Sequence, residues 1–278
     1  MKHLTTPLFL LFLSSACFAA TVDTVLVHSP SMKKDIRCVI VRPTASHSHP
    51  THQGRLPVIY LLHGWAGNYA QWIGTAPQLP QKADDLGVIF VCPDGGFDSW
   101  YFDSPIDPTI RYETFISKEL VAYIDTHYPT AADRRHRAIT GLSMGGHGAL
   151  YVAIRHKNTF GAAGATSGGV DFRPFQNNWG LKKDLGDSAC CWTNWEKNTV
   201  IAAADSLSDG ELALIFDCGT SDFFLTVNRN LHQKLLTRKI SHDYTERPGG
   251  HDEPYWRNSI DYQLLFFRKF FDRFPNAN

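Results

Sequence analysis

Short apolar runs recur along the chain, separated by longer stretches in which apolar and polar residues alternate at helical spacing. Val22–His28 and Asp35–Val41 alternate or run apolar, as a pair of N-terminal strands does. Pro57–Leu62, Val88–Val91, Arg137–Thr140 and Leu212–Phe216 are short and continuously apolar, the pattern of strands covered on both faces. A weaker strand pattern surrounds His242–Glu246. Helical stretches fall at about Ala76–Leu86, Tyr112–His127, Met144–His156, Phe224–Lys239 and Tyr255–Phe274. In the last, Leu264, Leu265, Phe267 and Phe271 are set against Arg268, Lys269, Asp272 and Arg273. This alternation predicts an α/β fold with a mostly parallel central sheet and helices on both faces.

Two segments break the alternation. Asp94–Ile110 carries Gly95, Gly96, Trp100, Tyr101, Phe102, Pro105 and Pro108, and Gly168–Trp195 carries Trp179, Trp192 and Trp195. Both read as long irregular loops, and loops of that length usually form lids or binding walls. Thr44–Arg55 is a polar loop containing His47, His49 and His52. Three histidines there suit a metal, but a solvated loop is the simpler reading.

The N-terminus reads as an export signal. Lys2 and His3 precede the apolar run Leu8–Leu13, which small residues follow up to Ala20. The run is too short to span a bilayer. Cleavage is expected after Ala19 or Ala20, leaving 21–278 as one domain, secreted or periplasmic. A lipoprotein anchor on Cys17 is disfavoured, because Ser14 stands three residues before it where leucine is usual.

Charge and cysteines narrow the picture further. The formal net charge is +0, and no basic block offers a footprint for nucleic acid. No later segment is apolar enough to be a transmembrane helix. Five cysteines remain after the leader: Cys38, Cys92, Cys190, Cys191 and Cys218. An odd number leaves at least one free thiol. Cys92 and Cys218 end strand patterns and read as buried thiols, while a bond between the neighbours Cys190 and Cys191 would be strained. No cysteine spacing suits zinc, and no metal or cofactor is expected.

The candidate chemistry sits in Gly141-Leu142-Ser143-Met144-Gly145. A strand ending in Gly-x-Ser-x-Gly and opening into a helix is how a turn presents a nucleophilic serine. A chain of this length contains the motif by accident roughly one time in ten, so its surroundings must decide. A serine hydroxyl needs a base and an acid that orients the base. On such a sheet they follow in the order serine, acid, histidine, at the carboxyl ends of later strands. Asp222 lies in the turn after Leu212–Phe216, with Asp217 as the nearer competitor. His251 follows Pro248-Gly249-Gly250 and precedes the last helix. His147, His156, His232 and His242 fall within helices or a strand and read as structural. An oxyanion needs two N–H donors. Met144 supplies one, and Trp65, in the glycine-bearing loop after Pro57–Leu62, supplies the other. His63 then shapes that loop.

The chain resembles the esterase D / putative esterase family of α/β-hydrolases. The resemblance rests on Tyr60–Asn68, Pro93-Asp94-Gly95-Gly96, Gly141–Gly146, Gly219–Asp222 and Gly249-Gly250-His251. It implies the α/β-hydrolase fold, with Ser143 as nucleophile, His251 as general base and acid, and Asp222 as its orienter. It further implies an oxyanion hole from the N–H groups of Trp65 and Met144. Trp100 and Tyr101 would contact substrate near an acyl pocket. The expected activity is that of a serine carboxylesterase acting through an acyl-enzyme on short-chain or aromatic (acetyl- or feruloyl-type) esters. The expected partner is a small ester or an esterified saccharide, such as a decorated plant polysaccharide. Alternatives are an acyltransferase at the same site and a thioesterase of the S-formylglutathione hydrolase kind. The latter enzymes are cytosolic, so the leader counts against it. A non-catalytic carbohydrate-binding protein would not need the Ser-Asp-His set.

Overall fold

The computed structural model describes residues 20–44 and 54–274. The leader, with Cys17, and the histidines His47, His49 and His52 lie outside the described residues, save for Ala20.

The strands are β1 (Thr21–Ser29), β2 (Lys34–Arg42), β3 (Val58–Leu62), β4 (Ile89–Pro93), β5 (Arg137–Gly141), β6 (Ala162–Thr166), β7 (Ala213–Gly219) and β8 (Asp243–Arg247). They form one sheet in the order β1-β2-β4-β3-β5-β6-β7-β8. β1 and β2 pair antiparallel, as do β2 and β4, and the pairings from β4 to β8 are all parallel. The sheet is thus mostly parallel, and its six parallel strands send their carboxyl ends to one edge.

The helices are α1 (Gln71–Thr75), α2 (Leu79–Leu86), α3 (Tyr112–Thr114), α4 (Val121–His127), α5 (Met144–Arg155), α6 (Leu181–Leu185), α7 (Ser188–Lys197), α8 (Val200–Ala203), α9 (Leu225–Thr237) and α10 (Glu253–Phe271). A π-helical turn, Phe115–Leu120, joins α3 to α4. Side chains alternate across a strand, so β3 serves two cores at once. Val58, Tyr60 and Leu62 pack with Phe115, Leu120, Leu150 and Leu231 on one face. Ile59 and Leu61 pack with Trp72, Leu79, Ile260 and Phe267 on the other. On α10, Leu264, Phe267 and Phe271 are buried but Leu265 is exposed, because it sits one step of about 100° off the stripe.

Two expectations need correction. β6, Ala-Ala-Gly-Ala-Thr, carries no large apolar run and was not predicted as a strand. Its small residues answer to what lies over it: a Cβ on Gly164 would fall 2.6 Å from Gln263 Oε1 and 3.1 Å from Phe267 Cζ of α10. The bulk that usually marks a buried strand is supplied by the helix. Gly168–Trp195 is not wholly irregular either. It contains α6 and most of α7, whose N-terminus is capped by the Asp187 carboxylate accepting from Ala189 N–H.

Candidate active site

The elbow begins where β5 ends. Ser143 has φ 55° and ψ −117°, a strained conformation for a residue with a side chain. Close packing enforces it. A Cβ on Gly145 would sit 2.6 Å from the carbonyl oxygen of His63 and closer still to that of Leu62, so only glycine lets α5 start this close to β3. One turn on, Gly148 leaves room for the Tyr101 ring, which would lie 2.8 Å or less from any Cβ there. Ser143 N–H donates to Thr166 O (3.0 Å), and Gly169 N–H donates to Ser143 O (3.2 Å), tying the turn to the end of β6.

The acid and base loops follow β7 and β8 and are laced together. Thr220 N–H donates to Arg247 O, and Ser221 N–H to Gly249 O, each at 2.9 Å. Immediately after His251, the Asp252 carboxylate accepts from Tyr255 N–H (3.0 Å) and caps α10, with Pro254 in the first turn. The base is therefore held between a zipped loop and a capped helix.

These loops bring Ser143, His251 and Asp222 together. Asp222 Oδ2 lies 2.9 Å from His251 Nδ1, and Ser143 Oγ lies 2.9 Å from His251 Nε2. Burial pushes the Asp222 carboxyl up, but its hydrogen bonds with His251 and from Phe224 N–H (2.8 Å) outweigh this and hold it below the usual carboxylate range. An ionised Asp222 keeps the imidazole proton on Nδ1, which leaves Nε2 to accept the Ser143 proton.

Asp217 lies within β7 itself, five residues before Asp222, and its carboxylate is bonded away from this chain. Its buried carboxylate accepts from Thr166 Oγ1 (3.0 Å), Tyr255 OH (2.9 Å), Ser259 Oγ (2.6 Å) and Gln263 Nε2 (3.0 Å). It ties α10 to β6 and β7. The two acids thus divide the labour: Asp217 holds the scaffold and Asp222 the histidine.

The loop after β3 closes the other side. A Cβ on Gly64 would lie 3.5 Å from Ser143 Cβ, so the neighbouring Trp65 N–H borders the nucleophile. Neither Trp65 N–H nor Met144 N–H has a hydrogen-bond partner among the described residues. Two unpaired donors flanking a serine are the arrangement an oxyanion requires. His63 shapes this loop. Its Nε2 accepts from Gly95 N–H (2.7 Å) and its Nδ1 donates to Gly64 O (2.8 Å), bridging the ends of β3 and β4.

Trp100 and Tyr101 do not line the site, which corrects the expectation that they contact substrate. They are 1% and 0% exposed. Both have positive φ, 50° and 61°, and turn inward beneath the elbow. Tyr101 OH donates to His63 O (3.1 Å), and Trp100 packs edge-on against His147 and Phe172. Their place is to support α5 and the Trp65 loop. His147, His156, His232 and His242 are engaged elsewhere: His147 with Trp100 O and Asn198 O, His156 with Glu113, and the other two with each other. Cys38, Cys92 and Cys218 are buried free thiols, and the Cys190 and Cys191 sulfurs stand 2.8 Å apart at the surface.

The aromatic side chains that do reach solvent here, the Trp65 ring included, went unassigned in the sequence. Trp65 (42% exposed) meets Phe97 (59%) edge to face at 5.1 Å. Phe223 (51%) lies 4.2 Å from the His251 ring, centroid to centroid. Phe223 directly follows Asp222, and that adjacency was the one available signal.

The chain is similar to known esterases. The model of a family described as "Putative esterase" matches residues 29–267. An acetyl esterase of Caldicellulosiruptor saccharolyticus is 25% identical over 84% of this chain and 92% of its own. An S-formylglutathione hydrolase of Bos taurus is 25% identical over 80% of this chain and 83% of its own. Among solved structures, a ferulic acid esterase superposes with a TM-score of 0.77 at 26% identity, covering 91% of this chain and 99% of that one.

Proposed function

This chain belongs to the family described as "Putative esterase" and is a serine carboxylic-ester hydrolase, and from that we propose that it cleaves short-chain or aromatic acyl esters of saccharide alcohols through an acyl-enzyme on Ser143. One observation carries the reading: the continuous contact from Asp222 through His251 to Ser143, at 2.9 Å in both steps, beside two unpaired N–H donors. Ser143 Oγ attacks the ester carbonyl while His251 Nε2 takes its proton. The carbonyl oxygen, now negative, receives the N–H groups of Trp65 and Met144. As the tetrahedral adduct collapses, His251 returns the proton to the departing alcohol oxygen. Water then enters, gives its proton to His251 and releases the acid.

The similarity to an acetyl esterase and to a ferulic acid esterase supports the two acyl classes. The basic, apolar and small-residue order of residues 1–20 supports export. A panel of p-nitrophenyl esters from acetate to octanoate, alongside methyl ferulate, tests the reading. Turnover of acetate or ferulate that disappears in Ser143→Ala is expected, and a Ser143→Ala variant that retains full turnover refutes it. A second reading, thioester hydrolysis, has in its favour the similarity to an S-formylglutathione hydrolase. Faster cleavage of S-formylglutathione than of any oxygen ester in the same panel would establish it instead.

A further inference from the structure

The chemistry of ester cleavage divides the mouth of the site into two sides. The carbonyl oxygen points to Trp65 and Met144 N–H, and the leaving oxygen must lie within reach of His251 Nε2, which gives it a proton. What borders the open side of His251 therefore borders the departing alcohol.

That side is a shelf of aromatic rings. Phe223 is half exposed, and its ring lies over His251 at 4.2 Å, tilted by 37°. Trp179 continues the surface, stacked with Phe223 at 5.9 Å and 24°. Below, Trp179 rests on Phe175, Phe224 and Trp100, at 5.4, 5.2 and 5.6 Å. The backbone holds it there at a cost. Trp179 has φ 56° and Gly180 φ 71°, in the left-handed region that a residue with a Cβ disfavours. Trp100 and Tyr101 share this conformation but are fully buried, whereas Trp179 stays partly exposed beside the site. The rim of the shelf is polar. Asp98 Oδ2 would lie 2.8 Å from a Cβ on Gly180, and Asp98 Oδ1 accepts from Lys183 Nζ (3.2 Å).

We propose that Phe223 and Trp179, with Asp98 and Lys183 at their edge, form the leaving-group subsite and take the pyranose ring of a saccharide alcohol. A pyranose presents a flat face of C–H bonds, which lies against aromatic rings, and a perimeter of hydroxyls, which needs a carboxylate and an ammonium to bond with. A simple alkyl alcohol has nothing for the rim. The assignment rests on Ser143 being the esterase nucleophile and adds which face of the site reads the alcohol.

The test uses two acetate esters of primary alcohols: methyl glucopyranoside acetylated at its primary hydroxyl, and ethyl acetate. Both form the same acetyl-enzyme, so the ratio of their kcat/KM values reports only the alcohol side. The wild-type ratio is expected to favour the glucoside. Phe223→Ala should lower that ratio by about tenfold, the scale of a lost hydrophobic contact in a specificity pocket. Phe223→Tyr, which keeps the ring, should hold it within about twofold of the wild type. A wild-type ratio at or below unity, or a ratio that Phe223→Ala leaves unmoved, overturns the subsite while leaving the esterase reading intact. Wild-type protein that cleaves neither acetate ester overturns the subsite, and only if it also leaves methyl ferulate uncleaved does the esterase reading fall with it.

Discussion

Asp217 and Asp222 lie five residues apart on one strand and its loop, and exchanging each for asparagine should break different things. In Asp222→Asn, the amide oxygen can keep the 2.8 Å bond from Phe224 N–H. The amide NH2 then faces His251 Nδ1 and donates to it, so the ring proton moves to Nε2. A protonated Nε2 cannot accept from Ser143. The equivalent change in the trypsin triad lowers kcat by about 10⁴, or roughly 5.5 kcal/mol in transition-state free energy. The fold loses little, because the neighbouring loops stay zipped through Thr220 and Ser221. In Asp217→Asn the damage is reversed. Four side chains donate to this buried carboxylate, and Arg247 Nη1 stands 3.6 Å away. An amide has one oxygen to offer, so at least one donor is stranded at about 1–3 kcal/mol. The lost charge brings the total to about 3–5 kcal/mol, the usual figure for breaking a buried ion pair. For a chain of this size that lowers Tm by about 6–10 °C. Hydrolysis of p-nitrophenyl acetate at a temperature where both variants are folded, together with thermal melts, separates the two effects. If Asp217→Asn abolished turnover with Tm unchanged while Asp222→Asn stayed active, the assignment of the two acids would be refuted.

Three further outcomes follow from the geometry. Gly145→Ala drives a methyl into the backbone carbonyls of Leu62 and His63, and should cost about 1–3 kcal/mol in stability. It should also cut kcat/KM by about 10², because the elbow shifts against the Trp65 loop; wild-type melting and turnover would contradict the packing argument. Asp184 is buried with both carboxylate oxygens unpaired, and burial raises its pKa to about 7. The unfolded chain titrates near ~3.9, so between these values the native state holds a proton that the unfolded state has released. Stability therefore falls as pH rises through that window and stays lowered above it. Asp184→Asn should melt higher than wild type at pH 8 but not at pH 4, and parallel melting curves at both pH values would refute the placement. Finally, N-ethylmaleimide should label Cys190 and Cys191 in the folded protein and leave Cys38, Cys92 and Cys218 untouched until denaturation. Burial both hides the latter three and pushes their thiols up; mass spectrometry showing any of the three modified in the native state would refute this.

Much of the fold was readable because parallel strands covered on both faces must be continuously apolar, as Val58–Leu62 and Ile89–Pro93 are. β6 escaped for the complementary reason: Gln263 and Phe267 of α10 occupy the volume its side chains would otherwise fill. Ser143, Asp222 and His251 stood out because each occupies a turn just beyond a strand's carboxyl end, where local sequence controls the backbone. Trp100 and Tyr101 misled because a Gly-rich turn followed by aromatics looks the same whether the rings point out or in. Gly95 and Gly148, distant in sequence, leave the space that draws Tyr101 inward.

The sequence by itself determined the order of elements, the strained turn at Ser143 and the succession of serine, acid and histidine along the sheet edge. These depend on hydrophobic period and on backbone preferences of a few adjacent residues. Tertiary structure alone decided which aromatics are buried beneath the elbow and which form the shelf beside it, and it brought Asp222 rather than Asp217 to His251. Those outcomes turn on whether two residues some hundred positions apart come within 3 Å, as Ser143 and His251 do at 2.9 Å. No local pattern encodes such distances; they follow from how the sheet and its helices fill space together.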